Sequence, residues 1–132
     1  KENREECFTL TSCQSEIVQC FFTPQNQMDV MAIASALNLW IVKAESYVKE
    51  KNFDKAVEIT LFILNKIGNS FHSIYNDPRI KNFKEINAVC CDADKILVSV
   101  LNSVDVSVDL KEIIESERKS LVDCYPFLPI EL

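Results

Sequence analysis

Apolar residues recur every three or four positions along most of this 132-residue chain, which is the spacing that places them on one face of an α-helix. The pattern predicts about five helices. The first runs from about Arg4 to Phe22, and the second begins at Thr23-Pro24, where proline at the first helical position costs no hydrogen bond. The second helix has the broadest apolar stripe, so we expect it to lie at the centre of the core. Its stripe consists of Val30, Ile33, Leu37, Trp40, Ile41, Ala44, Tyr47 and Val48.

Two further helices are predicted in the middle of the chain. Asn52 is placed to cap the third helix, whose apolar stripe continues past Gly68, where we expect a bend. Asn76-Asp77-Pro78 ends that helix, and Asp77-Pro78 opens a fourth helix that extends to Leu101. The two stripes comprise Val57, Leu61, Leu64, Phe71 and Ile74, then Phe83, Ile86, Val89, Cys90, Ala93, Ile96, Leu97, Val100 and Leu101.

In the last part of the chain, the pattern of polar and apolar residues predicts a loop, a helix and an irregular apolar tail. Ser103–Val108 alternates polar and β-branched residues as a strand does, but a polar residue shortly before Leu110 favours a loop that ends in an N-cap. Asp105 and Ser107 are the candidate caps. The helix then runs to Cys124, because two prolines in the tail prevent its continuation.

Composition supports an all-α fold in a single domain, residues 1–132. The chain has one glycine and four prolines, so it offers few positions for the tight turns of a β-sandwich. A hydrophobic fraction of 48% and a charged fraction of 26% are typical of a folded globular domain. We therefore expect a bundle of about five helices.

An even number of cysteines in a short chain predicts three disulfides and an oxidising, extracellular compartment. We expect a secreted mature form from which a signal peptide has been removed. The cysteines are Cys7, Cys13, Cys20, Cys90, Cys91 and Cys124.

The spacing of the cysteines limits how they can pair. If the three N-terminal cysteines lie on one helix, Cys7 and Cys13 are about 9 Å apart along its axis, and Cys13 and Cys20 are about 10.5 Å apart. A disulfide needs Cα atoms within about 7 Å. Each must then pair with Cys90, Cys91 or Cys124, which leaves six of the fifteen connectivities open. The first helix is thus predicted to be cross-linked to the fourth.

The net charge of −6 is concentrated towards the C-terminus, where residues 105–132 contain seven acids and three bases. Such a surface repels nucleic acid and anionic membrane, so the expected partner is a protein with a basic patch. A plain solvated surface is the alternative interpretation of the acidic helix face. For the tail, the alternative is packing over the protein's own bundle. The candidate partner-binding residues are Asp109, Glu112, Glu115 and Asp123 on the helix and Tyr125, Phe127, Leu128 and Ile130 in the tail.

Nothing in the sequence predicts an enzyme, a cofactor or a metal site. His72 is the only histidine, and its neighbours place it on the polar side of the third helix. Glu85, Asp92 and Asp94 are candidates for paired carboxylates, but helix-surface solubility explains them better. The Asp92-x-Asp94 pair also lacks the glycine and the downstream glutamate of a calcium loop.

A carrier of a small hydrophobic ligand is the main alternative to a protein-binding function, because eight phenylalanines and Trp40 are enough to line a cavity. A core filled by its own side chains is the default expectation. Insect odorant carriers are also small, helical proteins with six cysteines, but the three-residue spacing of their second and third cysteines is absent here.

The overall pattern resembles salivary proteins of blood-feeding arthropods, in particular the anopheline helical inhibitors of the alternative complement pathway. The resemblance lies in a short acidic chain beginning Lys1-Glu2-Asn3, helical throughout, with cysteines near both ends and no catalytic groups. It implies inhibition of a host-defence protein, such as a complement or coagulation protease complex, by contact outside the active site. Helical cytokines share the outline and stay an alternative.

Overall fold

The computed structural model describes residues 12–21, 30–75 and 83–132, and these residues form five α-helices. The helices are α1 (Ser12–Gln19), α2 (Val30–Lys49), α3 (Phe53–Phe71), α4 (Phe83–Leu101) and α5 (Val108–Cys124). The predicted all-α fold is confirmed. The predicted starts of the first, second and fourth helices lie outside the described residues.

Helices α2, α3 and α4 pack against one another and form the centre of the bundle. The short α1 packs mainly against α3, while α5 packs against both α3 and α4. Burial of their apolar faces is the main force that holds the five helices together. Every large side chain at the centre is aliphatic apart from Phe71: Ile17, Ile33, Leu37, Ile59, Ile63, Leu64, Ile67, Phe71, Ile86, Leu97, Ile114 and Leu121.

The predicted apolar stripe of α2 faces this centre. Ile33, Leu37 and Ala44 are fully or almost fully buried, whereas Trp40 lies half-buried at the edge of the stripe. The Lys43 ammonium lies over the face of the Trp40 ring, 4.6 Å from its centre, in a cation–π contact. The expectation that α2 is a central helix is therefore confirmed.

The loop before α5 is confirmed, together with its capping residue. The Ser107 hydroxyl oxygen accepts a hydrogen bond from the Leu110 N–H at 3.2 Å, which satisfies one of the free amides of the first turn. Asn52 occupies the N-cap position of α3 as predicted, but its side chain makes no capping hydrogen bond.

The turn between α2 and α3 depends on a left-handed residue. Lys51 has a φ of 63°, and the Asn52 N–H donates to the Tyr47 carbonyl while the Lys51 N–H donates to the Val48 carbonyl. These two hydrogen bonds form a Schellman motif that ends α2, and Lys51 occupies the left-handed position where glycine is usual. The Lys51 ammonium also reaches Asp105 at 2.5 Å, so the turn contacts the loop between α4 and α5.

Helix α3 is not interrupted at Gly68, the position where the sequence predicts a bend. Helix α3 continues through Gly68 to Phe71, and the ring of Tyr125 from the tail lies directly on this glycine. A methyl group at position 68 would overlap that ring. Glycine is required here for the close approach of the tail, because helix interiors otherwise favour alanine by roughly 1 kcal/mol.

The predicted disulfides are not present among the described cysteines. Cys13, Cys20, Cys90, Cys91 and Cys124 are all free thiols, and Cys7 lies outside the described residues. The physical reason is the packing of the helices. The prediction needed α1 beside α4, but α1 packs mainly on α3; Cys90 is enclosed in the core, and Cys124 is exposed at the end of α5.

Burial also makes two of these thiols poor nucleophiles. Removal from water raises the pKa of Cys90 above its ordinary value, and the neighbouring Cys91 and Asp94 raise it further. Burial raises the pKa of Cys20 as well. The thiolate is the reactive form, so Cys90 should be the slowest of the described thiols to react.

We expect at least five reactive thiols per chain when the protein is denatured without reductant and titrated with an aromatic disulfide reagent. In the native protein Cys124 should react first, because it is exposed, and Cys90 last. Mass spectrometry of the alkylated peptides measures the order. Recovery of one thiol or none after denaturation would contradict the structure and restore the three-disulfide prediction.

Candidate functional site

The outer side of α5 presents an isoleucine surrounded by carboxylates. A shallow, open groove of about 380 Å³ lies on this side, lined by Asp109, Glu112, Ile113, Ser116 and Glu117. All five are exposed, and Ile113 retains 51% of its accessible surface. We call these five residues the acidic face.

The spacing of polar and apolar residues in α5 turns this face outward. Its members recur at intervals of three or four residues, which places them along one side of the helix. Ile114, Arg118 and Leu121 occupy the other side and are buried against the bundle. The rotation of α5 about its axis is therefore set by the residues it buries.

The carboxylates of the acidic face have no cation partner among the described residues. Asp109, Glu112 and Glu117 appear in none of the ion pairs of the described chain. Asp109 lies in the first turn of α5, where the helix dipole favours a negative charge. The face thus combines an apolar centre with negative charge that is not neutralised locally.

The remaining residues of the predicted helix site lie beside this face. Glu115 and Asp123 are exposed on α5, and Lys119 is an exposed cation between them. Two further exposed apolar residues lie near the N-terminal end of α5: Val104 in the preceding loop, with 92% of its surface exposed, and Val108 in the first turn, with 69% exposed. The structure therefore brings all four predicted acids of α5 to the surface.

The predicted tail residues lie elsewhere, packed over the protein's own bundle. Leu128 and Ile130 are buried, and Tyr125 and Phe127 are half-buried. The Phe127 ring stacks on Tyr75, with 4.5 Å between ring centres and an interplanar angle of 15°. These side chains are occupied by internal contacts and are not presented to a partner in this conformation.

A buried ion pair between α4 and α5 holds the tail in place. Arg118 Nε donates to one oxygen of Asp94 at 2.8 Å, and Arg118 Nη2 donates to the other at 2.7 Å. The same Nη2 donates to the Glu131 carbonyl at 2.8 Å. Hydrogen bonding to Asp94 raises the pKa of the Arg118 guanidinium. One arginine thus connects two helices and the C-terminal tail.

This ion pair corrects the sequence interpretation of Asp94 as a surface residue. Asp94 is only 9% exposed and Arg118 only 6%, and a charge buried to that extent requires a partner. The two positions lie 24 residues apart, so neither helix pattern reveals the pairing. The feature of the sequence that could have indicated a buried charge is the single arginine on the apolar side of the last helix.

The other predicted chemical residues are not brought together. His72 is exposed just beyond the end of α3, near the Tyr125 ring, while Glu85 and Asp92 are half-buried on α4. Across residues 12–21, 30–75 and 83–132, no cluster of three histidines, cysteines or carboxylates has the geometry to hold a metal ion. No helix in the same ranges is long and apolar enough to cross a membrane.

The described residues form a small all-α bundle in which α5 presents a charged surface without ion pairs. Comparison with known proteins adds no relative, since the chain matches no protein-family model, no curated protein and no solved structure.

Removing one partner of the Asp94–Arg118 pair should destabilise the protein strongly, because the remaining charge stays buried. We expect Arg118→Met or Asp94→Leu to lower the free energy of unfolding by about 3–5 kcal/mol. The double variant should lose much less than the sum, since no unpaired charge is left. Urea unfolding followed by circular dichroism measures these changes.

The exposed pair Lys51–Asp105 supplies the matched control. Its side chains are 66% and 48% exposed, so Lys51→Met should cost no more than about 1 kcal/mol. Equal effects of Lys51→Met and Arg118→Met would show that the Asp94–Arg118 pair is not buried as described.

A methyl group at position 68 should displace the tail. Gly68→Ala raises helix propensity in α3 but collides with Tyr125, so we expect a net loss of about 1–3 kcal/mol in the free energy of unfolding. Combining Gly68→Ala with Tyr125→Ala should remove the collision, and the methyl should then cost little or stabilise. A destabilisation by Gly68→Ala that persists unchanged without the Tyr125 ring would contradict this packing.

Proposed function

We propose that this protein acts without catalysis, by binding a partner protein that presents a basic patch to the acidic face of α5. The observation that supports this proposal is the half-exposed Ile113 with Asp109, Glu112 and Glu117 around it. An apolar centre inside a polar, solvent-accessible rim is the usual anatomy of a protein interface.

The two components of the face would contribute differently to binding. Burial of Ile113 supplies the apolar contact, at about 25 cal/mol for each Å² removed from water. The three carboxylates speed the encounter with a basic patch and disfavour acidic competitors. A single helix face is small beside a typical interface of about 800 Å² per partner, so neighbouring residues such as Val104 and Val108 would have to join it.

The proposal keeps only the helical half of the predicted binding surface. The tail residues Tyr125, Phe127, Leu128 and Ile130 support the bundle, and their removal would disturb the fold before it affected binding. Three grooves lined by described residues are open to solvent, unlike the enclosed pockets that carry hydrophobic ligands. These three grooves give no support to a carrier of a small hydrophobic ligand, which stays the alternative prediction.

The nature of the partner stays a prediction. A complement or coagulation protease complex as the target, and a location outside the cell, are implied by the resemblance to salivary inhibitors. The free thiols of the described cysteines weaken the disulfide argument for an extracellular location, so the thiol titration bears on this point too.

Charge reversal on the acidic face should abolish partner binding while leaving the fold intact. We expect the immobilised protein to capture one specific protein or complex from plasma, and Glu112→Lys/Glu117→Lys to lose at least about tenfold in affinity because like charges then face each other. Quantitative mass spectrometry of the eluates identifies the protein, and surface plasmon resonance with the purified protein measures its affinity.

The matched control is Glu16→Lys/Glu50→Lys, which changes the net charge by the same amount at two exposed positions on other elements. It should retain binding. Equal capture by all three proteins would show that the acidic face is not the binding surface. Capture of nothing specific from plasma would count against a host-defence target.

A further inference from the structure

A groove between α2 and α4 has the opposite charge to the acidic face. It is lined by Glu45, Val48 and Lys49 from α2 and by Lys95, Ile96 and Ser99 from α4, and it has a volume of about 320 Å³. Most of its lining surface is apolar. We call these six residues the lysine groove.

The chemistry of the lysine groove is set by its floor and its rim. Ile96 is only 5% exposed and forms the floor, and Val48 is a half-buried wall. Lys49 and Lys95 are exposed on opposite helices, so one ammonium group lies on each side. Glu45, also exposed, offsets part of this charge. An apolar side chain flanked by carboxylates is the chemistry that fits.

The chain itself carries such a side chain. Ile113 is half-exposed, and Asp109, Glu112 and Glu117 surround it. We propose that the acidic face of one copy docks into the lysine groove of a second copy, with Ile113 over Ile96 and the carboxylates beside Lys49 and Lys95. The complementarity of two apolar centres and two opposite charges favours a second copy over an unrelated occupant.

The two surfaces cannot meet within one chain. Helix α5 packs against α3 and α4 with Arg118 inward, and its acidic face points away from the bundle. The contact is therefore between copies, and it joins two different surfaces. Such a heterologous contact arranges copies head to tail. The copies form a ring if the rotation between them closes and an open filament if it does not.

The docking should be weak and dependent on concentration. Each copy carries a net charge of −6, so long-range repulsion opposes the local attraction. At physiological ionic strength the Debye length is about 8 Å, which screens the net charge more than a close contact. The inference uses the surface of the proposed function but needs no partner, and its failure would leave partner binding untouched.

Analytical ultracentrifugation of the purified full chain tests the docking from micromolar to millimolar concentration. We expect the average mass of the wild type to rise steadily with concentration. Lys49→Glu/Lys95→Glu and Glu112→Lys/Glu117→Lys should each stay monomeric, with apparent dissociation constants raised at least about tenfold. Circular dichroism checks that both variants, changed only at exposed positions, remain folded.

An equimolar mixture of the two variants gives the decisive result. In the mixture each copy meets a surface of the opposite charge, so association should return although neither variant associates alone. A wild type that stays monomeric throughout would overturn the proposal. Association that survives either pair of reversals, or that fails to return in the mixture, would equally overturn it.

Discussion

The buried ion pair between Asp94 and Arg118 is the constraint on which the orientation of the acidic face depends. A guanidinium placed inside a helical bundle is tolerated only if its charge is paired, and here one carboxylate and one backbone carbonyl accept three hydrogen bonds from it. Because Arg118 must face Asp94, α5 can adopt only one rotation about its axis. That rotation exposes Ile113 and its surrounding carboxylates.

Contacts between the tail and the rest of the bundle, including α3, also stabilise the position of α5. The Tyr125 ring requires the bare backbone of Gly68, and the Phe127 ring packs against Tyr75 and Phe83. The side chains of Tyr125, Phe127, Leu128 and Ile130 therefore pack over the bundle instead of extending into solvent. The sequence left two interpretations of this segment, exposed anchors for a partner or packing over its own bundle, and the structure shows the packing.

The extent to which the sequence predicts this structure follows from the range of the interactions involved. Helical periodicity is a local property, so the stripes of α2 to α5 and the Ser107 cap are predictable from neighbouring residues. The pairing of Asp94 with Arg118 and the contact of Gly68 with Tyr125 join residues far apart in sequence, and no local pattern encodes them. The predicted disulfides are likewise not present among the described cysteines, because their prediction assumed which helices are neighbours.

The candidate site was predicted in part, for a related physical reason. Exposed acids on an amphipathic helix follow from the same periodicity that defines its buried side, so Asp109 and Glu112 were found. The lysine groove was not found, since it is formed by two helices whose adjacency the sequence does not state. Helices α3 and α4 each contact both α5 and α2, whereas the acidic face of α5 is exposed. Under the two proposals both a basic partner and a second copy use the acidic face, so each excludes the other and protein concentration would set how much of the face is free.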